Sequence, residues 1–192
     1  MGLTRIVEPL IDPITLEIAR KQSRVEEVIE DDLISIYIAA ATRWTEIFLS
    51  RQLITATWKK IIDKFPLNQV IKLPNGPVQT VTSIKFFDVD SIEQTVPSID
   101  YIVDIDSIVA RVVPVPEKTW PTTENRINAV SIEYIAGYGD DTLDIPEAIR
   151  VHIQMLTAHL FEHRESVSEL SLNDVPQSVR FLLEPFEVKE FD

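Results

Sequence analysis

The chain of 192 residues contains no cysteine. That excludes a disulfide framework, a thiolate metal site and a cysteine nucleophile, and it fits folding in a reducing compartment. Glycine is scarce, with four residues in all. Neither G-x-G-x-x-G, G-x-x-x-x-G-K-[ST] nor G-x-S-x-G occurs, so no phosphate-cradling loop or nucleophile elbow is written in the chain. No run approaches the roughly 18 to 20 apolar residues a membrane span needs. Met1-Gly2-Leu3-Thr4-Arg5 leads into Ile6-Val7-Glu8-Pro9 with no visible secretory signal. Positive charge is also short: 18 Lys and Arg stand against 31 Asp and Glu, a net of −13. Proteins that grip nucleic acid neutralise its phosphates with basic side chains, so this chain is expected to repel DNA on average.

What is present is an ordinary globular composition, 45% hydrophobic and 26% charged, enough for one domain or a domain carrying an insertion. Thr15 can cap a short helix from Leu16 to about Val25, with Leu16 and Ala19 on its apolar side and Arg20, Lys21 and Arg24 in water. Asp31 and Asp32 sit where a cap and first-turn acids belong. From Leu33 to Arg51 there is no Gly or Pro. Leu33, Ile36, Tyr37, Ala40, Trp44, Ile47 and Phe48 recur at helical spacing there, and Ile34, Ile38 and Ala41 widen the apolar arc. So broad an arc predicts a helix contacted on two sides.

Residues 52 to 135 change to Val, Ile, Thr, Phe and Tyr between turn residues. Short strands are predicted at Thr55 to Phe65, Gln69 to Leu73, Val78 to Phe87, Glu93 to Val96, Tyr101 to Asp104, Ile108 to Val113 and Ala129 to Ile135. Their close turns predict antiparallel hairpins. Helix returns at Pro146 and runs to about Arg164 through the stripe Ile149, Ile153, Leu156 and Leu160. A polar linker from Ser166 to Asp174, a last helix from Pro176 to Leu183 and a tail from Phe186 to Asp192 follow. The pattern predicts an α+β fold: a helical bundle, residues 1–51 and 140–192 with a C-terminal arm, interrupted by a small antiparallel β insertion over 52–139.

Catalytic and metal chemistry find little support. His152, His159 and His163 fall on nearly one helix face, but at 1.5 Å per residue they span about 16 Å, too far for one ion. His159 and His163 lack the intervening catalytic Glu of a zinc protease helix. Asp100, Asp104 and Asp106, with Asp88 and Asp90, lack the frame and closing Glu of a calcium loop. Gly137-Tyr138-Gly139-Asp140 follows a strand and precedes a helix, yet Asp140 and Asp141 would repel a phosphate there. A sharp glycine-permitted turn accounts for it better.

Several segments in order resemble the head–tail connector (neck adaptor) family of tailed phages. They include Pro13-Ile14-Thr15-Leu16-Glu17, Asp31-Asp32-Leu33-Ile34 with the helix to Arg51, and Leu53-Ile54-Thr55-Ala56-Thr57-Trp58. Leu73-Pro74-Asn75-Gly76-Pro77-Val78 continuing to Ile84, Asp100-Tyr101-Ile102-Val103-Asp104 and Pro116-Glu117-Lys118-Thr119-Trp120-Pro121 come next. Ile132-Glu133-Tyr134-Ile135-Ala136-Gly137-Tyr138-Gly139, Ile145-Pro146-Glu147-Ala148-Ile149-Arg150 and Phe161-Glu162-His163-Arg164-Glu165 complete the set. Lys21-Gln22-Ser23-Arg24 departs from the more apolar turn of that pattern.

The resemblance implies a non-enzymatic protein without cofactor or metal. It would form a homo-oligomeric ring, typically of twelve copies, under the portal protein of a virion. The ring would extend the DNA channel, let DNA pass without specific binding, and offer a platform to a downstream neck or tail-completion protein. It would have no membrane contact, and would occupy the host cytoplasm during assembly. Leu33, Ile36, Tyr37, Ala40, Trp44, Ile47 and Phe48 are the candidates for the ring interface. Asp88, Asp90, Glu93, Asp100, Asp104 and Asp106 are the candidates for an acidic channel surface. Phe186, Val188 and Phe191, apolar positions of the tail, are the candidates for docking to the portal or another partner. The alternatives are a small ion- or ligand-binding module using Asp100, Asp104 and Asp106, and an unrecognised hydrolase.

Overall fold

A computed structural model describes residues 2–25, 30–163 and 180–188. It holds three α-helices and two antiparallel sheets, an α+β fold. The chain divides into two compact units, Met1–Pro9 with Thr55–Tyr138, and Leu10–Ile54 with Gly139–Asp192.

The first unit is the β unit. Its larger sheet runs β1 (Gly2–Val7), β2 (Ala56–Ile62), β8 (Val130–Ala136), β4 (Val78–Phe87), β5 (Glu93–Thr95) in spatial order. A three-stranded sheet has the order β3 (Ile71–Leu73), β7 (Ala110–Pro114), β6 (Tyr101–Asp104). Only β4–β5 and β6–β7 are local hairpins; β2 instead pairs with β8, with Ala56 opposite Ala136. Alternation drives the burial. Ala56 and Trp58 on β2, and Val130, Ile132, Tyr134 and Ala136 on β8, all point into the core. Ile84 and Phe86 join them, and Val81 packs against this core half-buried. Phe65 stacks on Trp120 at 4.8 Å, and the Trp120 indole N–H donates to the Gln69 carbonyl at 2.9 Å. Tyr134 donates its hydroxyl to the Pro74 carbonyl at 2.9 Å, and burial pushes its pKa up.

The N-terminal residues correct the expected division, which put 1–51 with the helices. Gly2–Val7 is an edge strand of the β unit, paired with β2 and broken by an irregularity between Arg5 and Val7. Arg5 lies over the Trp58 ring at 5.7 Å. Five of its six residues are exposed, so no inside–outside alternation marks it in the sequence.

The second unit is helical. In α1 (Leu16–Ser23) the Thr15 side chain caps the helix by accepting from the Ile18 N–H, as its position predicts. Arg20 is less wet than expected: its guanidinium grips Asp31, and both are about three-quarters buried. Asp31 therefore opens α2 (Asp31–Leu49) as an ion-pair partner, while Glu30 holds the cap position without a side-chain bond. At the other end Ser50 turns left-handed (φ 52°), and the Arg51 N–H returns to the Glu46 carbonyl at 3.1 Å. The Glu46 carboxylate, itself buried, accepts from the Gln52 amide at 2.6 Å. Gln52 also donates to the Ile54 carbonyl at 2.9 Å, which fixes the chain where it leaves the helix.

Ile34, Ile38, Ala41, Thr45 and Leu49 form the fully buried stripe of α2. They face a core shared with Ile149, Ile153 and Leu156 of α3 (Glu147–Glu162). Tyr37 meets Phe161 while Trp44 meets His152, so the two helices run antiparallel. Ahead of α3, Asp141 and Asp144 form a reciprocal capping box. Gly139 is required here, because a Cβ would stand 2.0 Å from the Asp144 carboxylate. The predicted linker Ser166–Asp174 and most of the predicted last helix lie outside the described residues. From residue 180 the chain ends a helix and buries Leu183 completely.

Candidate assembly surfaces

The seven apolar α2 residues chosen from the sequence separate into two groups. Tyr37, Trp44 and Phe48 are half-buried within their own unit. Tyr37 meets Phe161 edge-on at 6.4 Å, and Trp44 stacks on Phe48 at 5.1 Å and on His152 at 5.5 Å. The Arg180 guanidinium covers Phe48 at 5.4 Å. Ile36, Ala40 and Ile47, by contrast, face outward, with Ile36 62% and Ile47 64% exposed. Leu33 borders them half-buried. At spacings of four and seven residues these outward positions make one narrow apolar strip, with Arg43 beside it. The breadth of the arc in the sequence is thus real, but most of it is used inside the unit.

The six acidic candidates divide in a similar way. Asp88 accepts from the backbone N–H of Asp90 and Ile92 at 3.0 Å each and from the Gln94 amide at 2.9 Å. The Gln94 bond, then the Ile92 bond, hold its pKa below the usual carboxylate range. Asp104 accepts from the Ser107 hydroxyl at 2.7 Å, from Arg111 Nε at 2.8 Å, and from the N–H groups of Asp106 and Ser107. These partners, Ser107 first and then Arg111, pull its pKa down to about 2. Asp100 is paired with Lys118, and Glu93 lies 3.5 Å from Lys85. Half of the set, Asp88, Asp100 and Asp104, is half-buried and spent on turns and ion pairs; Asp90, Glu93 and Asp106 are exposed. Asp88 and Asp100 border one open groove of about 460 Å³ with Trp120 in its wall. Asp104 and Asp106 sit at the far end of β6, on the hairpin to β7.

The tail begins by packing back. Phe186 and Val188 are half-buried; the Phe186 carbonyl accepts from Arg51 Nε at 2.8 Å, and the Val188 N–H reaches the Leu49 carbonyl at 3.4 Å. Phe191 lies outside the described residues. Among the described residues no group of three His, Asp or Glu side chains could share a metal ion. His159 and His163 stack at 4.3 Å, with His163 Nδ1 against the His159 carbonyl, while His152 is buried against Trp44. The turn at Gly139 is filled by its own carboxylates: Asp144 accepts from the Asp141 N–H and Asp141 from the Leu143 N–H. Among the described residues no helix is long and apolar enough to cross a membrane.

One surface was not anticipated. Ile99, Ile102, Ile105 and Ile108 are 81%, 48%, 46% and 71% exposed along β6 and its hairpin. Isoleucine at every third position fits neither the helical nor the strand period, so periodicity assigns these residues no burial and no function.

No known protein family and no curated protein matches the chain. Its fold does match solved structures. A chain in the neck of an empty GTA particle, computed with C6 symmetry, superposes with a TM-score of 0.84 at 20% identity. A chain in the virion of a native gene transfer agent (GTA) particle superposes at 0.82 and 19%, and one in the neck of a native GTA particle, computed with C12 symmetry, at 0.78 and 19%. Each match covers 100% of this chain and 98% of the other. The fold is therefore shared from end to end.

Proposed function

We propose that the protein is a structural component of the neck of a phage-like particle, a head–tail adaptor that assembles as a ring of identical copies beneath the portal. One observation carries this reading. A fold assembled from two units is shared over the whole chain with chains in GTA particle necks, whose structures were computed with C6 and C12 symmetry. The ordered sequence segments that resemble the adaptor family support the same role independently.

A closed ring needs a head-to-tail contact in which two different patches meet. The outward strip Ile36, Ala40 and Ile47, bordered by Leu33, supplies one of those patches. Tyr37, Trp44 and Phe48 brace the helix from behind. The ring, of twelve copies in this reading, extends the DNA channel without binding DNA. A net charge of −13 on every copy repels phosphate, and Asp90, Glu93 and Asp106 are the exposed acids available to face the lumen. Phe186, Val188 and Phe191 are the proposed contact to the portal, with the backbone bonds of Phe186 and Val188 anchoring that segment to α2. A downstream neck or tail-completion protein takes the opposite face. The role is mechanical rather than enzymatic, and assembly takes place in the host cytoplasm before the protein becomes part of the virion.

The ion-binding alternative lacks a geometric basis, since Asp100 and Asp104 are held by Lys118 and by Ser107 with Arg111. Mixing the purified chain with portal-bearing, tail-less heads tests the proposal. The chain should co-sediment with the heads in a fixed ratio of copies and permit tail joining. Heads that join tails equally well without it would refute the adaptor role.

A further inference from the structure

We propose that the isoleucine strip Ile99, Ile102, Ile105 and Ile108 is a docking surface for a different protein of the particle, one presenting aliphatic side chains flanked by Lys or Arg. The inference rests on the neck reading above and names a surface and a partner chemistry that the reading leaves open.

Four exposed isoleucines within ten residues are far more apolar surface than a short hairpin needs. They do not belong to the core, which takes Tyr101 and Val103 from the same strand. They also lie along a free edge. β6 is the last strand of its sheet, and its ladder to β7 sets Ile102 opposite Val113 and Asp104 opposite Arg111. An exposed edge lined with aliphatic side chains is an invitation to another chain.

The strip is held rigid. At the hairpin end, Asp104 gathers the Asp106 N–H, the Ser107 N–H and hydroxyl, and Arg111. At the other end, Lys118 holds Asp100, and the Val115 N–H donates to the Asp100 carbonyl at 3.0 Å. A surface fixed at both ends loses little freedom on binding, which favours a dedicated contact over a floppy loop.

Charge selects the occupant. Residues 98–110 contain three Asp and no Lys or Arg. The two nearest cations, Lys118 and Arg111, are already engaged with Asp100 and Asp104. The strip is therefore apolar with a negative border. A second copy of this chain, at −13, is a poor match, and DNA is a worse one. A protein patch of aliphatic side chains bordered by basic residues complements it.

The test compares the full chain with Ile102→Ser/Ile108→Ser and with Asp106→Lys. Each protein is added to portal-bearing heads and then to the next neck or tail component, at low and at high salt. All three should keep the same melting temperature, because the altered side chains are exposed. The isoleucine variant should lose at least tenfold in capture of one neighbouring neck protein while still forming the homo-oligomeric ring. Asp106→Lys should weaken the same capture severalfold and reduce its salt dependence. If the isoleucine variant captures both neighbours within twofold of the wild type, the inference is overturned. It is also overturned if ring formation fails while partner capture per copy is kept, because the strip would then be a contact between copies. A wild-type chain that never joins portal-bearing heads overturns the neck reading together with the partner assigned here.

Discussion

Trp44 lies stacked on His152, ring centroids 5.5 Å apart and planes within 19°. One ring comes from the middle of α2 and the other from the first half of α3. The pair shows why a broad apolar arc is ambiguous: Trp44 belongs to the fold, whereas Ile47, three residues on, faces solvent. Trp44→Ala is expected to destabilise the helical unit by about 2–4 kcal/mol through the cavity it leaves. Ile36→Ser and Ile47→Ser are expected to stay within about 0.5 kcal/mol of the parent and to impair ring formation instead. Urea unfolding beside an assembly assay on portal-bearing heads separates the two groups. Loss of stability in the serine variants would return Ile36 and Ile47 to the core.

Much of this was legible beforehand. The helical segments, the β block and its turns follow from period and punctuation. Thr15 was recognisable as a cap because a hydroxyl before a Pro-free helical run has one obvious donor to meet. Three features were not legible. β1 exposes five of its six residues, so it lacks the alternation that marks a half-buried strand. The fate of the acids depended on partners distant in sequence or hidden in turns, such as Lys118 for Asp100. The tail appeared free because no local pattern announces that Arg51 and Leu49 hold its backbone.

The Asp104 clamp sets a pH dependence. Its carboxyl is held at about 2, below the ordinary 3.8, by Ser107 first and Arg111 next. A depressed carboxylate contributes stability that is complete above its unfolded value and is lost as pH falls through the folded one. Protection of the Ser107 amide from hydrogen exchange should therefore stay level from neutral pH to about pH 4 and fall as pH drops toward 2. Asp104→Ala should remove that protection at every pH. An amide equally protected in the variant would show that the carboxylate does not order the hairpin.

Gly139 faces Asp144 so closely that a Cβ would sit 2.0 Å from the carboxylate oxygen and 2.7 Å from the Asp144 Cβ. Gly139→Ala should cost about 1–3 kcal/mol by forcing the capping turn apart. With Asp144→Ala as well, the two losses should add to less than their sum, since part of the clash and the capping box have gone. Strict additivity in denaturant melts would place the strain elsewhere.

Duplex DNA should not bind the free protein at physiological salt, given the net charge of −13. Fluorescence anisotropy with a labelled duplex should show no change up to micromolar protein. Tight binding that weakens steeply with salt would reveal a basic face and contradict a channel in which DNA slides.

Rotational averaging of particle necks by electron cryo-microscopy addresses the central claim most directly. Images of wild-type particles should show a layer of repeated subunits beneath the portal, with twelvefold order and density for a 21.9 kDa chain in each copy. Particles made without the protein should lack that layer and carry no tails. A neck with no layer of this subunit size, or one unchanged when the protein is absent, would contradict the account.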